Sequence, residues 1–221
     1  QFQQFGHTVI FLIGDFTGWE EGDPALLVKK APGVWSYRLA LPPDAYIEYT
    51  FLDRSQTHSA ERLVDPFNPH RISNGMGKHN HFFYMPQGQA TPLARRAVIK
   101  GQVSQHVLES PYLLANGRRT VYLYQPPVEQ PVPLLVVWDG RDYLRRARLA
   151  VIVERLIAQG RIRPLALAMV EHGRQARMVE YACSEATLGL LHYEVLPLAR
   201  QHLNLLDLPN HPGAYGVLGA S

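Results

Sequence analysis

Cysteine is almost missing from this chain: Cys183 is the single one among 221 residues. A lone thiol excludes a disulfide framework and a zinc site built on cysteine pairs, and it leaves a reducing compartment open. Long apolar runs are missing as well. The longest, such as PLLVVW at 133–138, have strand length, well short of the ~18–20 residues of a membrane-crossing helix, so no membrane partner is expected. Charge of one sign is scarce: 22 Lys and Arg face 19 Asp and Glu, a surplus of +3. That is too little to imply a nucleic-acid partner. The pI of about 9.0 reflects the high pKa of an arginine-rich basic set rather than a large net charge. No basic-then-apolar leader follows Gln1, and the expected location is cytoplasmic. The chain opens without Met and stops at Ser221 directly after a strand-like run, which reads as an excerpt of a longer protein. What is present suffices for a core: 46% of residues are apolar and 19% charged, excluding a wholly disordered chain.

Two halves follow different patterns. Residues 1–86 read as all-β, with short apolar runs between Gly, Pro and Asp turns. VIFLIGD (9–15), VWSYRLAL (34–41), AYIEYTFLD (45–53) and HFFYMP (81–86) are the strand candidates. Alternation puts Trp35, Tyr37, Leu39 and Leu41 on one face of the second, and Ala45, Ile47, Tyr49 and Phe51 on one face of the third. Such a series suggests a small antiparallel sandwich. Residues 87–100 read as a linker. From 101 to 221 strands alternate with helices: QVSQHVLE (102–109), RTVYLYQP (119–126), PLLVVWDG (133–140), a helix near 142–159, PLALAMVE (164–171), a helix near 184–203, and AYGVLGAS (214–221). This order predicts crossover units and an α/β sheet.

Gly219-Ala220-Ser221 closes the last of these strands. A nucleophilic serine on a strained strand-to-helix elbow has the pattern G-x-S-x-G, with glycines because the turn has no room for larger side chains. Only G-x-S is visible. The strand ending at Asp139-Gly140 should deliver its C-terminal end to the same rim, where open α/β sheets hold ligands. A backbone N–H just after Gly140 could there serve an oxyanion.

With these residues in hand the chain resembles a known family. WDGRDYLRRARLAVIVERLIAQGRIRPLALAMVE (138–171), RMVEY (177–181), EVLPLAR (194–200) and YGVLGAS (215–221) look like the esterase family that includes enterochelin esterases. That family has a DG after its third strand, an R-x-x-E before the next helix, an E-x-x-P within it and G-x-S-x-G-G at the elbow. The chain departs with Arg163-Pro164 where the family has Pro-Pro, and with Tyr181-Ala182-Cys183 at the approach to the helix. The resemblance implies an α/β-hydrolase domain at 101–221, incomplete at its C-terminal side, with Ser221 as nucleophile. It also implies Gly140 and Arg141 as the oxyanion region, Arg141 being the favoured donor, and Asp139, Arg177 and Glu180 at the site rim, the last two as a local ion pair. The acid and the histidine base should then follow residue 221, so none of the ten histidines is the base, and the excerpt alone should be inactive. No cofactor and no metal are implied. The partner is a small-molecule ester, of siderophore or carbohydrate type.

GDFTGWEE (14–21), GVWSYRLALPPDAYIEYTF (33–51) and DPFNPHRISNGMGKHN (65–80) resemble the immunoglobulin-like early-set sandwich that precedes such catalytic domains and also serves as a glycogen- and starch-binding module. This implies Trp19 as a sugar-stacking platform and Asn80 as a sugar hydrogen-bonding residue. Thr50 replaces the module's lysine, however, and its second platform tryptophan is absent. Trp19 packed under its own loop and Trp35 in the core are the plain readings. Three other signals also have plain ones: His79 and His81 as ordinary strand residues rather than metal ligands, Arg141, Arg145, Arg146 and Arg148 as a solvated face, and Cys183 as a buried thiol. The leading expectation is an enterochelin-esterase-like serine hydrolase. The alternatives are a feruloyl or acetyl-xylan type esterase and a non-catalytic glycan-binding module fused to a degenerate hydrolase fold.

Overall fold

The computed structural model describes residues 2–3, 10–19, 25–32, 34–53, 61–74, 77–95, 97–114, 117–182, 184–207 and 210–219. Ser221 and Cys183 lie outside them. The chain divides into two compact units, Gln1–Ala90 and Thr91–Ser221.

Among the described residues the first unit holds nine strands: β1 (Phe2–Gln3), β2 (Ile10–Gly14), β3 (Ala25–Leu26), β4 (Val28–Ala31), β5 (Val34–Ser36), β6 (Tyr46–Asp53), β7 (Glu61–Leu63), β8 (Arg71–Ser73) and β9 (His79–Tyr84). They form one sheet in the order β1-β5-β4 and another in the order β3-β2-β6-β9-β8, with β7 also on β6. Trp35 from the first sheet packs with Ile10, Tyr49 and Phe51 from the second. Ile47, Tyr49 and Phe51 are buried together, and Thr50 and Leu52 on the opposite face are buried too. The expected strand at 34–41 is shorter than its alternation suggested. It ends at Ser36, and Tyr37 and Leu39 are exposed: with no partner strand beyond Ser36 among the described residues, alternation alone gives the backbone no ladder to join.

Among the described residues the second unit holds a five-stranded sheet of β10 (Gln102–Glu109), β11 (Arg118–Gln125), β12 (Leu134–Trp138), β13 (Ala166–Val170) and β14 (Tyr215–Leu218) in the order β10-β11-β13-β12-β14. The β10/β11 and β11/β13 pairs are antiparallel, and β12 runs parallel to both β13 and β14. Every residue of β13 is buried, as a continuous apolar run predicts for a strand covered on both faces. One face packs α1 (Gly140–Arg145) and α2 (Leu149–Ala158), the other α4 (Glu185–Leu190) and α5 (Leu196–His202), with the short α3 (Arg177–Tyr181) at the rim.

Both expected helices are modified. The 142–159 stretch is two helices, broken where Arg148 turns left-handed at φ 53° and sends its guanidinium to the Ala94 carbonyl, 3.0 Å away. The 184–203 stretch contains a π turn at Leu191–Val195. Pro197 supplies no N–H and its ring crowds the carbonyl four residues back, so the helix widens just before it. The segment expected as a linker is, from Thr91 on, a strap bound to α2. Arg155 donates to the carbonyls of Pro92 and Leu93, and Glu154 accepts from the Lys100 and Gly101 amides at 2.7 and 2.8 Å. Among the described residues no helix is long and apolar enough to cross a membrane.

Candidate active site

Parallel pairing brings the C-terminal ends of β12, β13 and β14 to one rim, at Trp138, Val170 and Leu218. Antiparallel β11 starts there too, and its Thr120 carbonyl accepts from the Glu171 amide at 2.9 Å. Residues just beyond these ends therefore share a rim whatever their separation in sequence.

The chain leaves β12 through Asp139, which is left-handed at φ 57°, a region Asp tolerates better than most side chains. Helix α1 then starts at Gly140 in contact with β13. A Cβ there would sit 2.2 Å from the Met169 carbonyl carbon and 2.5 Å from the Val170 nitrogen. These are backbone atoms, so only glycine lets the helix enter. The Asp139 carbonyl collects the Asp142 and Tyr143 amides at 2.9 and 3.2 Å. The Gly140 and Arg141 amides are then the two first-turn donors for which the helix itself offers no acceptor.

Helix α3 grips this turn. Arg177 reaches the Asp139 carboxylate with two bonds, Nε to Oδ1 at 2.8 Å and a terminal nitrogen to Oδ2 at 2.6 Å, the fork geometry of a bidentate pair. The Asp139 amide donates to the Tyr181 hydroxyl at 3.3 Å. The Arg177 guanidinium also lies over the Tyr181 ring, 5.1 Å from its centroid, a cation–π contact. Hydrogen bonding to Asp139 raises the Arg177 pKa further above its ordinary value. Burial pushes the Tyr181 hydroxyl well above the ordinary tyrosine range, so it stays neutral at every pH of interest.

Arg177 and Glu180 are not partners of each other, which corrects the local pair expected from R-x-x-E. Glu180 turns inward and takes Arg119 of β11 at 2.6 Å, both side chains buried. Gly173 lies against the pair, for a Cβ there would meet the Glu180 carboxylate at 2.4 Å. Around them stand residues the sequence reading passed over. Glu171 pairs with the Arg141 side chain at 3.3 Å, and His172 accepts the Arg174 amide on Nδ1 at 2.9 Å while its Nε2 lies 3.9 Å from Asp142. Glu171 occupies the position after β13 that Asp139 occupies after β12, so the strand-end rule that picked Asp139 could have found it. The arginine cluster also divides its work, Arg141 binding Glu171 and Arg148 binding the strap. A cavity of about 360 Å³ opens beside this rim, with Arg119, Glu171, His172 and Arg174 among its walls. A larger hollow of about 560 Å³ lies on α4, lined by Tyr112, Leu188, His192 and Tyr193 among others; it shares no residue with the rim. We place the candidate site at the rim, where the strand ends converge.

In the first unit, Asn80 is not the surface residue a sugar contact needs. It is buried, its Oδ1 accepts from Arg62 at 3.1 Å and its Nδ2 donates to Glu48 at 2.9 Å. The Trp19 indole N–H is taken by Asp15 at 2.9 Å, leaving only the ring face for a ligand. His81 uses both ring nitrogens, one against the Asp65 amide and one against the Asn68 carbonyl, each at 2.9 Å. Among the described residues no three His, Cys, Asp or Glu side chains are placed to hold a metal ion.

Residues 110–221 match the family model described as "Putative esterase", which is half of the chain, and the chain belongs to that esterase family. No curated protein matches it in sequence. Among solved structures it is similar to the enterobactin esterase FES from Shigella flexneri in the presence of enterobactin, with 17% identity and a TM-score of 0.66 over 91% of this chain and 57% of that one. It is likewise similar to the ferric enterobactin esterase from Salmonella typhimurium, with 17% identity and a TM-score of 0.68 over 88% of this chain and 56% of that one. At such identity the likeness speaks to the fold. The chain spans less than three fifths of the length of these structures.

Proposed function

We propose that this chain carries the nucleophile and oxyanion region of a serine carboxylic-ester hydrolase of the enterochelin-esterase type. In this reading residues 101–221 are the first part of an α/β-hydrolase domain, and residues 1–86 an immunoglobulin-like early-set sandwich. The observation that carries the reading is the rim: the left-handed Asp139 turn, clamped by Arg177 and Tyr181, lies at the end of β12, beside β14, whose chain continues to Ser221. The esterase match over the same residues supports it.

The chemistry follows. The Ser221 hydroxyl attacks the ester carbonyl as a histidine base takes its proton, and the tetrahedral oxyanion is held by backbone N–H groups, Arg141 supplying one. Collapse expels the alcohol and leaves an acyl-serine, which water cleaves by the same steps. In this fold the acid and the histidine come after the nucleophile in chain order, so His172 has no base role despite standing at the rim. No step requires a cofactor. The substrate is a small-molecule ester.

Labelling with a fluorophosphonate probe, in the protein that carries this chain, tests the nucleophile. Ser221 is expected to be modified and Ser221→Ala to be silent; labelling that survives the substitution refutes the assignment. A panel of siderophore, feruloyl and acetyl esters then separates the substrate classes.

A further inference from the structure

We propose that the outer edge of β10 is a self-complementary docking edge that pairs antiparallel with β10 of a second copy of this chain. β10 is an edge strand eight residues long, Gln102–Glu109, with β11 on one side and no strand on the other among the described residues. Which backbone groups point outward follows from the ladder. The Ser110 amide donates to the Gly117 carbonyl, and the Thr120 carbonyl serves Glu171 on the far side of β11. With Leu108 opposite Arg119 and His106 opposite Val121, the even-numbered residues of β10 face β11. The amides and carbonyls of Val103, Gln105 and Val107 therefore face out.

Edges of this kind are normally blunted by lysine, proline or a bulge. Residues 102–108, QVSQHVL, carry no lysine or proline, and their pairing with β11 runs without a register shift. Two valines on this strand are exposed, Val103 at 40% and Val107 at 51%, on the face shared with their partners Tyr124 and Thr120. A two-fold axis through Gln105 uses every one of these features. It sets Gln105 opposite Gln105 of the second copy and each Val103 opposite the other's Val107. All three outward-facing residues then exchange both bonds with their counterparts, and the apolar side chains meet in direct register. The same register brings Glu109, which pairs with Arg118 of its own copy at 3.1 Å, beside Gly101 and Lys100 at the start of the other strand, so charges of both signs cluster at each end. A shift by one residue would set inward-facing groups against outward-facing ones, and the axis through Gln105 pairs all three outward-facing residues of the strand with one another.

The test is sedimentation equilibrium of the purified protein that carries this chain, across its accessible concentration range, with two kinds of variant. Gln105→Pro removes the N–H on the two-fold axis but no bond to β11, and edge positions tolerate proline. It should raise the dimer dissociation constant about tenfold or more, with the thermal unfolding transition retained as the control for folding. Val103→Lys with Val107→Lys sets like charges opposite each other and should abolish the dimer, whereas Val103→Lys with Val107→Glu sets opposite charges there and should restore it. A wild-type chain that stays monomeric throughout, or a dimer indifferent to Gln105→Pro and to the charge exchange, overturns the proposal.

Discussion

Replacing Glu180 by alanine should be among the most damaging single changes in the second unit. The Arg119 and Glu180 side chains are 5% and 8% exposed, and their charged atoms are 2.6 Å apart. Removing one partner of a buried pair leaves the other charge without water or counter-ion, which costs about 3–5 kcal/mol. Gly173 presses on the pair, so the vacated space opens toward the rim cavity and some water can reach Arg119. That places the expected loss near 3 kcal/mol, the lower end of that range, or a fall of roughly 10 °C in Tm for a domain of this size. Urea denaturation is the suitable assay, because a neutral denaturant does not screen the ion pair. Trp138 packs on Tyr181 of α3, 5.5 Å between rings, so its fluorescence in a Trp19→Phe, Trp35→Phe background reports this region alone. The decisive comparison is the apolar exchange Arg119→Met with Glu180→Leu. It removes both charges at once and should cost much less than Glu180→Ala. A Glu180→Ala protein within about 1 kcal/mol of wild type, or an apolar pair as damaging as the single change, would refute the buried-charge argument.

Three further outcomes follow from the same geometry. Gly140→Ala forces a Cβ into the backbone of β13 and should cost roughly 2–3 kcal/mol, with a urea midpoint close to wild type counting against the contact. Arg177→Lys keeps the charge on Asp139 but loses the fork; if the turn aims an oxyanion donor, kcat should fall on the order of tenfold to a hundredfold with KM little changed, and a pure KM effect would say the turn only binds substrate. His106 is held below its ordinary value by desolvation and then by the charge of His202, whose ring lies 4.3 Å away. As pH falls through about 6.5 the unfolded chain therefore takes that proton first and the fold loses stability. His106→Gln should flatten the decline of Tm between pH 7 and pH 5, and parallel Tm profiles would contradict the sign.

Much of the β framework could be read from the chain because burial writes itself into periodicity. β13 is a continuous apolar run since both faces are covered, and β10 and β11 were delimited within a residue of their observed ends. What failed were places where a strand needs a partner that the chain does not announce. The alternation of 34–41 continues past Ser36, yet Tyr37 turns away to stack on Phe16 at 6.5 Å. The two-residue strand β3 has too few positions to show a period at all. The stretch expected as a linker, 87–100, is polar and punctuated, and its described residues from Thr91 on form the strap. Its order comes from outside, from Arg148, Arg155 and Glu154 on or beside a helix more than fifty residues later in the chain.

The rim shows the same division at the scale of single side chains. Strand-end reasoning singled out Asp139 and Gly140, since a parallel strand must deliver its C-terminal residues to one edge. The partner of Asp139 could not be found that way. Arg177 and Glu180 are three apart, a spacing that in a long helix puts two opposite charges on one face and invites a local pair. Helix α3 has only five residues and sits between two different walls. Its first residue meets the β12 turn, where Asp139 stands 38 positions earlier in the chain, and Glu180 dips to the sheet, where Arg119 stands 61 positions earlier. Each acid and base thus finds a partner across the fold rather than along the helix. The consequence is mechanical: the Glu180 pair anchors α3 in the sheet, and the Arg177 pair passes that anchorage to the Asp139 turn. A change in the buried pair should therefore disturb the rim even though neither Arg119 nor Glu180 touches Asp139, and the Glu180→Ala protein should show this as a loss of function larger than its loss of folded population accounts for.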